Sequence, residues 1–179
     1  MLYNSFNKGI FGENGFTIDK EDDMKKVGII GCGNIAWVHG WVIQNMKDAE
    51  LVAVCDTEWG RAEQLSEEYT GGKAEIYTNW HALCEAEPDV VHICTPHFLH
   101  APMAAELLRH GKSVFMEKPC AISREQFEEL KKEDRRHPGK LGFCFQNRYN
   151  KTTLEMDRML AEGKIGEVKG AGLCDMAQG

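Results

Sequence analysis

The sequence lacks the features that mark several classes of protein. It has no basic excess, since 21 lysines and arginines stand against 28 acidic residues and the formal net charge is −7. Non-specific nucleic-acid binding depends on basic surfaces, so we expect no nucleic-acid partner. No apolar run in the 179 residues approaches the ~18 residues of a membrane-spanning helix. We therefore expect no membrane partner either.

The seven cysteines form no motif that would indicate a metal site or a set of disulfides. Their number is odd and no two are spaced as C-x-x-C, which argues against a zinc site and against a secreted disulfide framework. No cluster of histidine, cysteine and carboxylate residues has metal-ligand spacing, so the sequence predicts no metal. Residues 1–23 contain no continuous apolar segment of the kind found in signal peptides. Together these observations predict a cytoplasmic setting.

Polar and glycine-containing residues at 1–24 predict an N-terminal tail. A strand pattern begins two residues after Met24, which raises the hypothesis that Met24 is the natural start. From Lys25 onward, short apolar runs alternate with segments of helical periodicity; the first helix is predicted over residues 35–46, with Ile35, Val38, Val42 and Met46 as its apolar stripe. Continuous apolar strands are typical of a parallel sheet covered by helices on both faces. The sequence predicts an α/β fold with a Rossmann-type, doubly wound and mostly parallel sheet.

A glycine-rich turn follows the first predicted strand and opens the first predicted helix. It reads Gly31-Cys-Gly33-Asn-Ile-Ala36, a G-x-G-x-x-A pattern. Such a turn lets a pyrophosphate approach the backbone, where the helix N-terminus at Asn34 and Ile35 supplies N–H groups. A tight strand–helix turn without a ligand would show the same glycines, but Asp56 ends the second predicted strand about 20 residues further on, where a ribose-binding carboxylate is expected. We therefore predict NAD, rather than NADP, as the cofactor.

Three further motifs occur in order downstream of this turn. They are T-P-x-x-x-H at residues 95–100, G-K-x-V at residues 111–114 and E-K-P at residues 117–119. In this combination the chain resembles the Gfo/Idh/MocA family, named after glucose–fructose oxidoreductase and inositol dehydrogenase, over residues 25–168. The resemblance implies an NAD-binding Rossmann domain over residues 25–147 and an NAD(H)-dependent oxidoreductase that moves a hydride to or from a sugar or polyol hydroxyl.

The resemblance also implies roles for individual residues. Lys118 is the catalytic candidate, because the lysine of E-K-P lies near the nicotinamide and the substrate hydroxyl in the family and can exchange a proton with that hydroxyl. Arg148 approaches the substrate or the nicotinamide carboxamide, with a structural ion pair as the alternative. His92 reads as a core histidine. The remaining cofactor-lining residues are Glu117 on the nicotinamide ribose and the loop residues Thr95, Pro96, His97 and His100, with helix capping or the filling of a polar gap as the alternative for His100.

Members of the family carry a second domain that supplies most of the substrate pocket and through whose sheet subunits associate into homo-oligomers. Residues 148–179 are predicted to be the start of such a substrate domain, truncated in this sequence. We expect a chain of this extent to bind NAD and to turn over poorly on its own, because catalysis requires the substrate to be enclosed. Two alternatives stay open: an NAD-dependent glycosidase of the same superfamily, and a non-catalytic NAD-binding module.

Overall fold

The computed structural model describes residues 24–170. The predicted N-terminal tail, except Met24, and residues 171–179 lie outside the described residues. The described chain forms two compact units, one that ends at Cys144 and one that begins at Phe145. None of its helices is both long enough and apolar enough to cross a membrane.

Six parallel strands form the centre of the first unit. They are β1 (Lys25–Ile30), β2 (Ala49–Cys55), β3 (Glu75–Tyr77), β4 (Val90–Ile93), β5 (Ser113–Met116) and β6 (Leu141–Phe143). Their order in the sheet is β3-β2-β1-β4-β5-β6, and every neighbouring pair is parallel. This is the strand order of a doubly wound Rossmann fold, so the predicted fold class is confirmed. The order reverses between β1 and β4, and the crevice at this reversal is where such sheets bind ligands.

Helices cover both faces of the sheet. They are α1 (Asn34–Gln44), α2 (Trp59–Thr70), α3 (Trp80–Leu83), α4 (His97–Arg109) and α5 (Arg124–Arg136). On one face, Ile29 and Val54 of the sheet pack with apolar residues of α1 and α2. On the other face, Ile93 and Met116 pack with residues of α4 and with Leu130 of α5. The alternation of side chains along each strand thus divides the core into two layers.

The buried stripe of α1 differs from the predicted one. Ile35 and Val38 are 40 % and 55 % exposed, whereas the buried residues of this helix are Ala36, His39, Gly40 and Ile43. The reason is the close approach of α1 to α2: a Cβ at residue 40 would overlap the ring of Tyr69. Gly40 therefore allows this close helix contact, and Ile35 and Val38 of the predicted stripe lie outside the buried face.

The sequence Ser123-x-x-Gln126 has the spacing of a capping box, and this motif occurs at the start of α5 in a modified form. The Ser123 hydroxyl accepts a hydrogen bond from the N–H of Gln126 at 3.2 Å. The side-chain oxygen of Gln126 accepts from the N–H of Ile122 at 3.1 Å rather than from that of Ser123. The side-chain amide of Gln126 also donates to the Phe98 carbonyl, which links α5 to α4.

The second unit contains a 3-10 turn at Gln146–Tyr149 and helix α6 (Lys151–Ala161). The Asn150 side chain caps this helix by accepting a hydrogen bond from the N–H of Thr153 at 2.7 Å. The apolar residues within 168–173 have the composition of a short strand. Residues 168–170 are not in a strand, and the remainder of that segment lies outside the described residues.

At Gly31 both the backbone conformation and the neighbouring backbone oppose a side chain. Its φ is +87°, and a Cβ there would lie 2.7 Å from the carbonyl carbon and oxygen of Cys94. We expect Gly31→Ala to lower the free energy of unfolding by about 2–5 kcal/mol, since positive φ and backbone overlap both oppose a side chain. Gly33→Ala is the matched control, because a Cβ at Gly33 meets no atom within 4 Å; its stability should change by less than about 0.5 kcal/mol. Urea unfolding measures both, and equal stabilities for the two variants would contradict the expectation.

Candidate functional site

The turn between β1 and α1 presents backbone N–H groups to open space. The positive φ of Gly31 reverses the chain after β1, and Gly33 is the N-cap of α1 with no side chain to occupy the space in front of the helix. The N–H groups of Asn34 and Ile35, in the first helical turn, have no partner four residues back. No acidic side chain lies in that turn. This arrangement fits a phosphate anion at the helix N-terminus.

Asp56, directly after β2, is hydrogen-bonded to this turn. Its Oδ2 accepts from the N–H of Cys32 at 2.8 Å, and its Oδ1 accepts from the N–H of Glu58 at 2.9 Å. Each carboxylate oxygen keeps a second lone pair for a ligand hydroxyl. The structure therefore brings Asp56 and the glycine turn together as the sequence predicts, and it adds the bond to Cys32, which no sequence motif indicates.

The loop after β4 carries Thr95, Pro96 and His97 to the same edge of the sheet. Pro96 is the N-cap of α4, and both Pro96 and His97 are exposed at the start of that helix. Thr95 is half-buried, and its hydroxyl lies 3.8 Å from the sulfur of Met103. These residues lie at the end of β4, beside the reversal of strand order.

His100 occupies a different position from the one expected of a cofactor-lining residue. It is 0 % exposed, and its Nδ1 lies 2.8 Å from the Pro119 carbonyl oxygen while its Nε2 lies 2.8 Å from that of Thr95. With both ring nitrogens engaged by backbone and no exposed surface, His100 ties together the loops that follow β4 and β5. The geometry supports the alternative in which His100 fills a polar gap and holds together the two loops that line the site.

Glu117 and Lys118 follow β5 and point to different environments. Lys118 is exposed, whereas Glu117 is only 5 % exposed. The N–H of Lys118 donates to Oε2 of Glu117 at 3.2 Å, and the Lys118–Pro119 peptide bond is cis. Lys118 is thus exposed at the carboxyl end of β5, whereas the carboxylate of the adjacent Glu117 is buried.

Glu117 belongs to a buried polar cluster that sequence motifs did not reveal. Nε2 of His39, on α1, lies 3.1 Å from Oε1 of Glu117, and Nδ1 of His39 lies 2.9 Å from Nδ1 of His92 on β4. The possible ligand atoms of His39, Glu117 and Cys144 all lie within 4.8 Å of one another. One signal was available: His39 is three residues after Ala36 and four before Ile43, which is the spacing of one helix face.

Burial and hydrogen bonding set the charge of this cluster. Burial by itself raises the pKa of Glu117, but hydrogen bonds from His39, Cys144 and the Lys118 N–H outweigh it, and the net pKa is lowered. Burial, aided by the neighbouring His39, lowers the pKa of His92 well below its ordinary value. At neutral pH the cluster therefore contains an ionised carboxylate and a neutral His92 ring.

The cysteines around the site are protonated thiols. Burial, with the nearby Asp56 carboxylate, raises the pKa of Cys32 to about 12 and that of Cys55 to about 11. Burial and the charge of Glu117 also raise the pKa of Cys94. Because the thiolate is the reactive form, these side chains act as small apolar residues and not as nucleophiles.

Arg148 lies in the second unit, within the 3-10 turn. Its guanidinium carbon stands 5.7 Å from the ring centroid of Phe145, and its side chain is exposed. Its assignment to the substrate stays a prediction.

Comparison with known proteins identifies similar chains. Residues 25–143 match the Gfo/Idh/MocA model, described as an oxidoreductase family with an NAD-binding Rossmann fold. The D-glucoside 3-dehydrogenase of Escherichia coli is 34 % identical over 145 residues, 80 % of this chain and 41 % of the relative. The inositol 2-dehydrogenase of Rhizobium meliloti is 31 % identical over 80 % of this chain and 43 % of the relative. The chain therefore spans less than half the length of these relatives.

Two other similar proteins bear on the chemistry. The scyllo-inositol dehydrogenase of Lactobacillus casei, solved with NAD(H) and scyllo-inositol, has a TM-score of 0.76 and 25 % identity over 81 % of this chain and 43 % of that structure. A glycosyl hydrolase family 109 protein of Bacteroides fragilis is 30 % identical over 163 residues, 86 % of this chain and 38 % of the relative.

The lowered pKa of His92 makes stability depend on pH in a defined window. Below the ordinary histidine pKa of 6.5, the unfolded chain binds a proton at this residue that the folded chain does not bind. His92 thus contributes a loss of stability of up to about 1.4 kcal/mol per pH unit as the pH falls from about 6.5 to 5. Urea unfolding at several pH values measures the slope. We expect His92→Leu to have a shallower slope whatever its absolute stability, and an unchanged slope would contradict this assignment.

Proposed function

Because the chain belongs to the Gfo/Idh/MocA family of oxidoreductases, whose NAD-binding Rossmann domain it contains, we propose that it holds NAD(H) for hydride transfer to or from a sugar or polyol hydroxyl. The observation that carries this proposal is the hydrogen bond between Asp56 and the N–H of Cys32 in the glycine turn. It joins the two elements of a dinucleotide site, the glycine turn after β1 and the acid after β2, and the turn lies beside the reversal of strand order between β1 and β4. The dehydrogenases of glucosides and inositols among the relatives support a sugar or polyol substrate.

Residues at different strand ends bind different parts of the cofactor. The pyrophosphate is bound by the N–H groups of Asn34 and Ile35, in the open space beside Gly33. Asp56 accepts hydrogen bonds from the hydroxyls of the adenosine ribose with its remaining lone pairs. A carboxylate there repels a 2′-phosphate, which favours NAD over NADP. The preference rests on Asp56, since a 3-ketoreductase of Actinomadura kijaniata that is 29 % identical was solved with NADP.

The loops that follow β4 and β5 would hold the nicotinamide half of the cofactor. Thr95, Pro96 and His97 would line one side of it, and Glu117 would accept a hydrogen bond from the nicotinamide ribose. The bound cofactor would supply the acceptor for the hydride of the carbon that carries the reacting hydroxyl. Lys118, exposed at the strand end, takes the proton from that hydroxyl as a general base, and it returns the proton in the reverse direction.

The second unit contributes to the substrate side of this proposal. We assign the residues from 148 onward to a substrate-binding domain and Arg148 to the substrate or the nicotinamide carboxamide. The relatives extend well beyond the matched region, since the chain covers 41 % and 43 % of two of them. We therefore assign substrate choice, turnover and assembly into homo-oligomers to the larger region that these relatives contain. Turnover in particular requires the substrate to be enclosed by more than the strand ends.

A second candidate function is NAD-dependent glycoside cleavage. The similarity to the glycosyl hydrolase family 109 protein extends over 86 % of this chain, slightly more than the similarity to the two dehydrogenases. A hydrolase of this kind oxidises the sugar transiently and returns the hydride, so it produces no net NADH. The two functions share the same cofactor site and differ in what accumulates.

Cofactor preference tests the role of Asp56. We expect the chain to bind NAD⁺ at least tenfold more tightly than NADP⁺ in calorimetric titration. Asp56→Asn keeps an oxygen that can accept from the Cys32 N–H but removes the charge. It should weaken NAD⁺ binding about 10-fold, since hydrogen bonds to charged groups contribute about 1.5–3 kcal/mol, and leave NADP⁺ binding unchanged or stronger. Tighter NADP⁺ binding by the unaltered chain would refute the assignment.

Lys118 is tested with a panel of inositols, glucosides and NAD⁺. In a chain that also contains a complete substrate domain, we expect NADH to accumulate with at least one polyol or sugar, and Lys118→Ala to reduce its rate by 10²–10⁴-fold, the usual contribution of a positioned general base. Lys118→Arg is the control, because it keeps the charge but does not exchange the proton. NAD⁺ affinity should change less than about threefold in both variants. Cleavage of a glucoside without net NADH would favour the hydrolase, and NAD⁺ binding without any reaction would favour a binding module.

A further inference from the structure

A chain of buried hydrogen bonds runs from the middle of the sheet to the end of β5. His92 on β4, His39 on α1 and Glu117 after β5 are linked at 2.9 Å and 3.1 Å, and the Cys144 thiol after β6 also bonds to Glu117. We propose that His39, supported by His92, is a positioning residue that fixes the Glu117 carboxylate for the nicotinamide half of NAD(H). This inference rests on the proposed function, since it takes Glu117 as a contact of the cofactor.

The carboxylate fixes the direction of the hydrogen bond between His39 and Glu117. An ionised carboxylate can only accept, so Nε2 of His39 must carry the proton that lies between it and Oε1 of Glu117. The bond between Nδ1 of His39 and Nδ1 of His92 runs in either direction: a neutral His39 ring accepts from His92, and a doubly protonated His39 ring donates to His92. In both arrangements His39 donates to Glu117, and this is the contact that positions the carboxylate.

These contacts leave Glu117 with little freedom and little spare capacity. Its two oxygens offer about four lone-pair positions. The His39 ring, the Lys118 N–H and the Cys144 thiol use three of them. About one acceptor position is left, on a carboxylate that is 5 % exposed. A single ligand hydroxyl fits this position, which is the requirement for binding one side of a ribose.

An aromatic side chain holds the two imidazoles in place. The Phe115 ring centroid lies 5.0 Å from that of His92 and 5.9 Å from that of His39. The two imidazoles themselves meet edge to face at 5.1 Å. In such surroundings hydrogen bonds are stronger than in water, and an unpaired polar group is more costly. The position of Glu117 therefore depends on the donor nitrogen of His39 being present.

The titratable groups near the carboxylate come from four elements. His39 belongs to α1, His92 to β4, Lys118 follows β5, and the thiols of Cys94 and Cys144 follow β4 and β6. Removal of the His39 donor leaves burial, which raises the pKa of Glu117, less opposed. In such a variant Glu117 takes up a proton at a higher pH, and the neutral carboxyl group is then a weaker acceptor for the cofactor hydroxyl.

The test compares NADH with ADP, which lacks the nicotinamide ribose. We expect His39→Leu in the full 179-residue chain to bind NADH at least tenfold more weakly, while ADP affinity changes less than twofold. The decline of NADH affinity with falling pH should begin at a higher pH than in the unaltered chain. His39→Gln, which keeps an N–H donor, should recover most of the affinity. His92→Leu leaves His39 in place and should cause a smaller loss, about threefold, and it serves as the second variant if His39→Leu does not fold.

Four results would overturn the inference. If His39→Leu and His92→Leu bind NADH as tightly as the unaltered chain does, the inference alone fails. Equal losses of NADH and ADP affinity would show a general structural role instead. Stoichiometric Zn²⁺ binding that is lost in Cys144→Ser would identify the cluster as a metal site, since His39, Glu117 and Cys144 offer ligand types that zinc accepts. If the unaltered chain binds ADP and NADH equally, or neither, the assignment of Glu117 to the nicotinamide ribose fails first.

Discussion

The close contact between Gly31 and the end of β4 is the constraint on which the rest of the site depends. Gly31 lies where the strand order reverses, and its lack of a Cβ lets the β1 turn approach the Cys94 carbonyl. This turn directs α1 across the sheet, and the N-terminus of α1 faces open space beside Gly33. The same crossing carries His39 over β4 and towards Glu117. The glycine turn and the buried polar cluster are thus both positioned by one backbone contact.

Two polar side chains, those of Asp56 and His100, link the segments that follow neighbouring strands. Asp56 accepts from the Cys32 N–H and thereby joins β2 to the glycine turn. His100 lies between the carbonyls of Thr95 and Pro119 and thereby joins the loops after β4 and β5. Both use backbone groups that the end of a strand leaves without a ladder partner. The side chains that stabilise the loops are therefore different from the exposed ones, Lys118 and His97, that remain available to a ligand.

Much of the architecture could be predicted from sequence because it depends on local rules. Apolar runs of strand length, the G-x-G-x-x-A turn and Asp56 indicated a Rossmann sheet, and the observed strand order agrees. Ser123 also caps α5, as the local Ser-x-x-Gln pattern predicts. The prediction was wrong for the buried face of α1, because apolar periodicity counts large side chains, whereas this contact is made by Ala36 and Gly40. Close helix packing selects for small residues, which carry little hydrophobic signal.

The amino-acid sequence by itself determined the parallel sheet, the turn that opens α1 and the carboxylate at the end of β2, since each depends on residues that are neighbours along the chain or follow a fixed period. Only the tertiary structure decided the partners of the buried polar groups. His39 meets His92 across 53 residues and Glu117 across 78, and these separations follow no period. They arise from the order of strands in the sheet and from the path of one helix across it, which bring together side chains that no spacing in the sequence relates.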